Sequence, residues 1–215
     1  MSPLPLGKPL VKVCGITSPG DAAMCTGMGV TVLGFIFHPA SPRNVAPSLP
    51  ALINEVDVVR KVGVFVGQCA NEVTTIMRDG KLHLAQLHGG QDEAFCDAVG
   101  AERVVKVLWP EKYTSVADLQ ADLDRFAPHC ARFLFDAGSS GGGHGRTMDL
   151  SFLRKLTIPR PYFLAGGLGP ETIGAALSSN PDGLDLNSGV ESAPGIKSRA
   201  KLQLTLDTIF AHQEA

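Results

Sequence analysis

Leu10-Val11-Lys12-Val13-Cys14-Gly15-Ile16-Thr17 is the stretch on which the reading of this chain turns. A short apolar and β-branched run ends at a cysteine and turns at a glycine. It then meets Ser18, which stands ahead of Asp21-Ala22-Ala23-Met24 as a helix-start signal. A strand that leaves its sheet and enters a helix is written this way. The unit recurs along the chain: apolar runs at 10–14, 31–37, 61–66, 84–87, 103–108, 132–135, 162–165 and 184–186 follow one another at roughly 20- to 30-residue intervals. Between them lie helical patterns, with Asn71 ahead of Val73 to Met77, Ser115 ahead of Val116 to Phe126, and Pro170 opening the stretch to Leu177.

Alternation of this kind predicts a parallel sheet covered by helices. Eight units in 215 residues suit a small closed (β/α)8 barrel, the TIM-barrel class, better than an open doubly wound sheet. No linker, low-complexity segment or charge block marks a boundary, so residues 1–215 are expected to form one domain. The glycine-rich stretch 138–145 is too short to join two domains and reads as a functional loop.

Composition narrows the partners. The chain is 44% hydrophobic and 19% charged, and it has no apolar run of membrane-spanning length. A net charge of -2 without a Lys/Arg cluster offers no footprint for nucleic acid. The N-terminal residues lack a secretory pattern, and five cysteines, Cys14, Cys25, Cys69, Cys96 and Cys130, lie scattered with no CxxC pair. That usage fits a reducing compartment, the cytoplasm, rather than a disulfide framework. His38 and His144 have no partners at ligand spacing, so no metal site is expected.

In such a barrel, chemistry belongs at the C-terminal ends of the strands. Six unusual segments fall there: Cys14 to Thr17, His38 to Arg43, His88-Gly89, Asp136 to Thr147, Gly166-Gly167 and Asn187-Ser188-Gly189. Each taken alone has a plainer reading. Free cysteines are mostly packing residues, a loop Asp mostly shapes a turn, an isolated Arg is mostly solvated, and glycines mostly turn the chain. Lys12 shares a strand face with Cys14 by the period of two, and a buried lysine needs a partner, for which Asp185 on the last strand is the expected candidate.

Taken in order, Lys12-Val13-Cys14-Gly15-Ile16-Thr17, Gly34-Phe35-Ile36-Phe37, Ser41-Pro42-Arg43, Val62-Gly63-Val64-Phe65-Val66, Gln86-Leu87-His88-Gly89, Asp136 with Gly142 to Thr147, Ala165-Gly166-Gly167-Leu168, and Asp185 through Glu191 to Pro194-Gly195 resemble the sequence blocks of the phosphoribosylanthranilate isomerases. The resemblance covers nearly the whole chain. It implies a cofactor-free isomerase of tryptophan biosynthesis acting on a small phosphosugar, as a monomer or homodimer. Cys14 would be the general base and Asp136 the general acid. Arg43 would hold the anthranilate carboxylate, a task suited to the planar guanidinium fork, with His88 also touching substrate. Gly143, Gly145, Gly166, Gly167, Ser188 and Gly189 would bind phosphate through backbone amides, as glycine loops and a short extra helix do in many barrels. Cys25, Cys69, Cys96 and Cys130 would be structural.

The sequence departs from the family pattern at His144 and Arg146, where a small residue and a lysine are more usual, at Asn187, often serine, and at Met148 and Leu150, often aromatic. These bear on substrate fit rather than on reaction class. Two rival readings remain at this stage. One is another phosphosugar barrel, such as an indole-glycerol-phosphate synthase or a ribulose-phosphate epimerase; the former would bring a lysine acid and an N-terminal helical extension, for which nine residues before the first strand leave no room. A catalytically silent phosphosugar-binding barrel is the other, and Cys14 with Asp136 counts against it.

Overall fold

Strands whose two faces are both to be covered need apolar side chains in near-continuous runs, and the runs of this chain comply. The structure, a computed structural model, describes residues 9–53, 59–136 and 150–214. Strands β1 (Leu10–Val13), β2 (Val32–Ile36), β3 (Arg60–Phe65), β4 (Leu84–Leu87), β5 (Val104–Leu108), β6 (Arg132–Asp136), β7 (Tyr162–Ala165) and β8 (Gly183–Leu186) pair in parallel in chain order. β8 returns to pair with β1 and closes the barrel. Each strand begins and ends within one residue of its apolar run.

Helices α1 (Pro19–Gly27), α2 (Leu49–Leu52), α3 (Ala70–Asp79), α4 (Glu93–Val99), α5 (Val116–Phe126), α6 (Ile173–Leu177) and α7 (Arg199–Glu214) lie in the connections and after the last strand. Two starts fall where the sequence marks them: Ser18 Oγ accepts from the Asp21 N–H at 3.0 Å, and Ser115 Oγ from the Asp118 N–H at 3.1 Å. Two differ. The N-cap of α3 is Cys69 rather than Asn71, because Glu72 reaches back to the Cys69 N–H at 2.7 Å and fixes the first turn earlier. α6 starts at Ile173 rather than Pro170, since the preceding residues form a turn in which Thr172 Oγ1 accepts from the Gly169 N–H. Beyond β8 the chain makes a short 3-10 helix, Ser188–Val190, and then an antiparallel hairpin, β9 (Glu191–Ala193) with β10 (Ile196–Lys197), which the periodicity did not announce.

Inside the barrel, Leu10, Val32, Val62, Val105, Val107, Leu134, Phe163 and Ala165 form an apolar cluster distinct from the larger one that packs strands against helices. The period of two carries these inward series up to the C-terminal mouth. Leu10 leads through Lys12 to Cys14, Val107 to Trp109, Leu134 to Asp136, and Asp185 to Asn187. The site is therefore the continuation of the core pattern past the point where apolar residues stop.

Lys12 and Asp185 face each other directly in the β1–β8 register, and Lys12 Nζ donates to both Asp185 oxygens at 2.8 Å. Both are buried. The expectation that Lys12 turns inward and meets Asp185 holds.

Candidate active site

At the exit of β1, the Cys14 N–H donates to Leu186 O at 2.8 Å, which fixes the cysteine against the end of β8. Gly34 on β2 makes the space for its side chain. A Cβ at position 34 would stand 2.8 Å from Cys14 Sγ and 3.1 Å from Lys12 Nζ, so thiol and ammonium converge on one point. Burial works against the Lys12 charge, but Asp185 and then Cys14 outweigh it and hold the ammonium charged. Burial also pushes the Cys14 thiol above its ordinary range, and Lys12 opposes that rise.

Gly15 follows with a positive φ of 72°, in the left-handed region that favours glycine. A Cβ there would strike Arg43 Cδ at 2.7 Å and Asn187 Oδ1 at 2.8 Å. The Arg43 stem thus lies against the turn that follows Cys14. Its loop is held by Ser41 Oγ, which accepts from the Arg43 N–H at 3.1 Å. The guanidinium is not free in solvent: Nε donates to Glu191 Oε1 at 2.9 Å and Nη2 to Glu191 Oε2 at 2.6 Å. Lys197 Nζ donates to the same carboxylate at 2.7 Å and to Asn187 Oδ1 at 3.1 Å. Burial acts to raise the Glu191 pKa, yet the hydrogen bonds from Arg43 and Lys197 prevail and hold it below the usual glutamate range.

Across the mouth stand His88, after β4, and Asp136, which ends β6. His88 Nε2 and Asp136 Oδ2 are 3.7 Å apart, beyond direct hydrogen-bond range. The His88 ring meets the Trp109 ring edge to face at 5.1 Å, and Gln86 Nε2 lies 3.4 Å from its Nδ1. Burial, with Lys12 as the next cause, pushes the His88 pKa down to about 4, so the ring is neutral at physiological pH.

Between the two sides, the turns after β7 and β8 interlock backbone against backbone. A Cβ on Gly169 would come 2.6 Å from Gly189 O, and one on Gly189 would overlap Leu168 O. Gly166 and Gly167 have positive φ, 114° and 65°, and a Cβ on Gly167 would meet nothing within 4 Å. Among the described residues, Gly167 therefore has open space on its Cβ side, and Ser188 and Gly189 begin the short 3-10 helix after β8. The glycine loop with Gly143 and Gly145, together with His144, Arg146 and Met148, lies outside the described residues.

The other cysteines stand apart from this mouth. Cys25, Cys96 and Cys130 are buried, their thiols pushed up by burial to about 12, 11 and 12, and Cys69 caps a helix. Among the described residues, no group of His, Cys, Asp and Glu is arranged to hold a metal ion, and no helix is long and apolar enough to cross a membrane. Sequence reasoning missed Trp109, Glu191 and Lys197. Trp109, the only tryptophan, directly follows a strand, and that position was its available signal. Glu191 stood in a family-like block without an assigned role, and Lys197 gave only its place near a glycine turn.

The family described as N-(5'phosphoribosyl)anthranilate (PRA) isomerase matches residues 11–208. The N-(5'-phosphoribosyl)anthranilate isomerase of Maridesulfovibrio salexigens is 58% identical over 194 residues, which cover 90% of this chain and 94% of that protein. The crystal structure of phosphoribosyl anthranilate isomerase from Thermus thermophilus is similar with a TM-score of 0.81 and 33% identity, over 94% of this chain and 98% of that one. A further isomerase structure, in complex with reduced 1-(o-carboxyphenylamino)-1-deoxyribulose 5-phosphate, has a TM-score of 0.78 at 27% identity, covering 94% and 99%. Closed barrel, strand-end cysteine and aspartate, and relatives matched over nearly their full length agree: this chain belongs to the phosphoribosylanthranilate isomerase family.

Proposed function

We propose that the chain converts N-(5'-phosphoribosyl)anthranilate to 1-(2-carboxyphenylamino)-1-deoxyribulose 5-phosphate, an Amadori rearrangement in tryptophan biosynthesis, with Cys14 as general base and Asp136 as general acid. The observation that carries this reading is the pair of inward series ending at Cys14 and Asp136 on different sides of one mouth, with Arg43 beside the cysteine. Proton transfers at two sites of one substrate need two such groups.

Asp136 gives a proton to the furanose ring oxygen as the C1–O bond breaks, and the nitrogen lone pair forms the iminium. Cys14 removes the proton from C2, and those electrons pass to C1 and nitrogen to leave an enolamine. Proton transfer to C1 and loss of the proton on O2 yield the ketone. The substrate's own nitrogen is the electron sink, so no cofactor is called for. The Lys12 ammonium offsets the developing thiolate, and the His88 ring, neutral at physiological pH, stands beside Asp136. Arg43 holds the anthranilate carboxylate. The backbone around Gly166, Gly167, Ser188 and Gly189, with Gly143 and Gly145, receives the phosphate.

Purified protein mixed with freshly prepared phosphoribosylanthranilate should abolish its anthranilate fluorescence. Cys14→Ser and Asp136→Asn should each lower kcat at least about 100-fold while leaving the fold intact, the typical worth of a positioned acid or base. A serine hydroxyl is too weak an acid to furnish the base near neutral pH. A Cys14→Ser enzyme with most of the parent's kcat would make Cys14 a packing residue beside some other base, and an inert parent would return the silent-barrel reading.

A further inference from the structure

A guanidinium can take a carboxylate through two parallel hydrogen bonds on either of two edges, Nε with Nη2 or Nη1 with Nη2. In Arg43 the first edge is filled by Glu191. That carboxylate is itself immobilised, because Oε1 also accepts from Lys197 Nζ at 2.7 Å and from the Gly195 N–H at 3.2 Å. The Lys197 and Glu191 side chains are only 0% and 4% exposed. Two cations share one carboxylate, so this ion-pair cluster keeps a positive charge. Asp21 meets Lys197 only at its backbone N–H, 3.4 Å away, and among the described residues it forms no ion pair with either cation. A hairpin fastened for stability alone would be better served by a matched pair than by a surplus buried charge.

We propose that Glu191, fixed by Lys197, is a positioning residue that presents the Nη1/Nη2 edge of Arg43 to the carboxylate of the substrate. The β9–β10 hairpin is thereby a specificity element: it holds the residue that reads the anthranilate carboxylate, at the turn after Cys14. Pre-ordering matters because an arginine side chain free to sample its rotamers would lose that freedom on binding, and the ligand would bear the loss. The inference rests on the reading of Arg43 as the carboxylate holder, and the experiment separates the two.

The probes are the reduced product analogue that bears the anthranilate carboxylate and its aniline counterpart, which lacks it. Inhibition constants for both are measured with the parent, Arg43→Ala, Glu191→Gln, Glu191→Asp and the double variant Arg43→Ala/Glu191→Gln, with thermal melts as a fold control. The parent should prefer the carboxylate analogue by at least about tenfold, as expected for a charged hydrogen-bonded pair. Arg43→Ala should bring that preference near unity. Glu191→Gln and the shortened Glu191→Asp should each reduce it several-fold and raise KM more than they lower kcat, and the double variant should be no worse than Arg43→Ala. If Arg43→Ala keeps the preference, the Arg43 reading falls and this proposal with it. If Arg43→Ala loses the preference while a folded Glu191→Gln or Glu191→Asp retains it, Arg43 stands and the positioning role of Glu191 is overturned.

Discussion

On the β1–β2–β8 side of the mouth, Lys12 with Asp185, and Arg43 and Lys197 with Glu191, form ion pairs at 2.6–2.9 Å, and none of their side chains is more than 18% exposed. On the β4–β6 side, His88 and Asp136 face each other across 3.7 Å, with side chains 30% and 19% exposed, and the histidine is neutral. One side is locked by buried charge, whereas the other is more exposed and carries a neutral histidine. The difference matches the proposed roles of Cys14 and Asp136. On the proposed mechanism, a thiol acting as base gains from the fixed ammonium of Lys12 beside it, and a carboxyl acting as acid gains from having a neutral rather than a charged histidine as its neighbour.

This contrast can be broken most severely at Lys12. Lys12→Met leaves Asp185 as a buried carboxylate without its partner, and urea unfolding should show a loss of about 4 kcal/mol. An unchanged midpoint would mean that water reaches Asp185 and that the locked side is not locked.

A smaller effect separates two glycines of the turns between the sides. Gly189→Ala drives a methyl into the Leu168 carbonyl and should cost about 2 kcal/mol of stability. In Gly167→Val the Cβ meets no described atom within 4 Å, so the cost should be that of a left-handed backbone, about 2 kcal/mol, while KM should rise roughly tenfold if phosphate approaches there. Equal KM in Gly167→Val and the parent would place the anion elsewhere.

The smallest effect tests the more exposed side. Unfolded histidine takes up a proton near 6.5, whereas folded His88 resists until about 4, so the unfolded state binds more protons between those values. Its contribution is fully present above pH 6.5 and is lost as pH falls toward 4. His88→Asn should therefore lose about 1 kcal/mol less than the parent between pH 7 and pH 4.5 in urea titrations, the shift being discounted for partial exposure. An identical slope in both proteins would mean that His88 is as free to charge as an exposed histidine.

Most of the locked side's interior was legible in the sequence. The eight apolar runs place the strands to within a residue, and the period of two along Leu10, Lys12 and Cys14 is enough to require a buried carboxylate opposite Lys12. What was not legible lies in contacts without local periodicity. The Arg43–Glu191 pair spans 148 positions, and the β9–β10 hairpin is two short strands around a proline and a glycine, too brief to give an alternating pattern. Arg43, on sequence grounds an exposed hand for substrate, proved to be already held by one carboxylate. Trp109 was overlooked because a single aromatic after a strand looks like any other end of a core run.

The Lys12–Asp185 pair joins residues 173 positions apart, the first strand of the barrel to its last. Its consequence lies in time rather than in space. While the chain emerges from the ribosome, the ammonium of β1 lacks its carboxylate, because the partner strand is the final barrel strand made. Closure therefore works as an all-or-none latch: the step that completes the barrel also completes the charge pair, and the floor beneath Cys14 sets only when the whole barrel does.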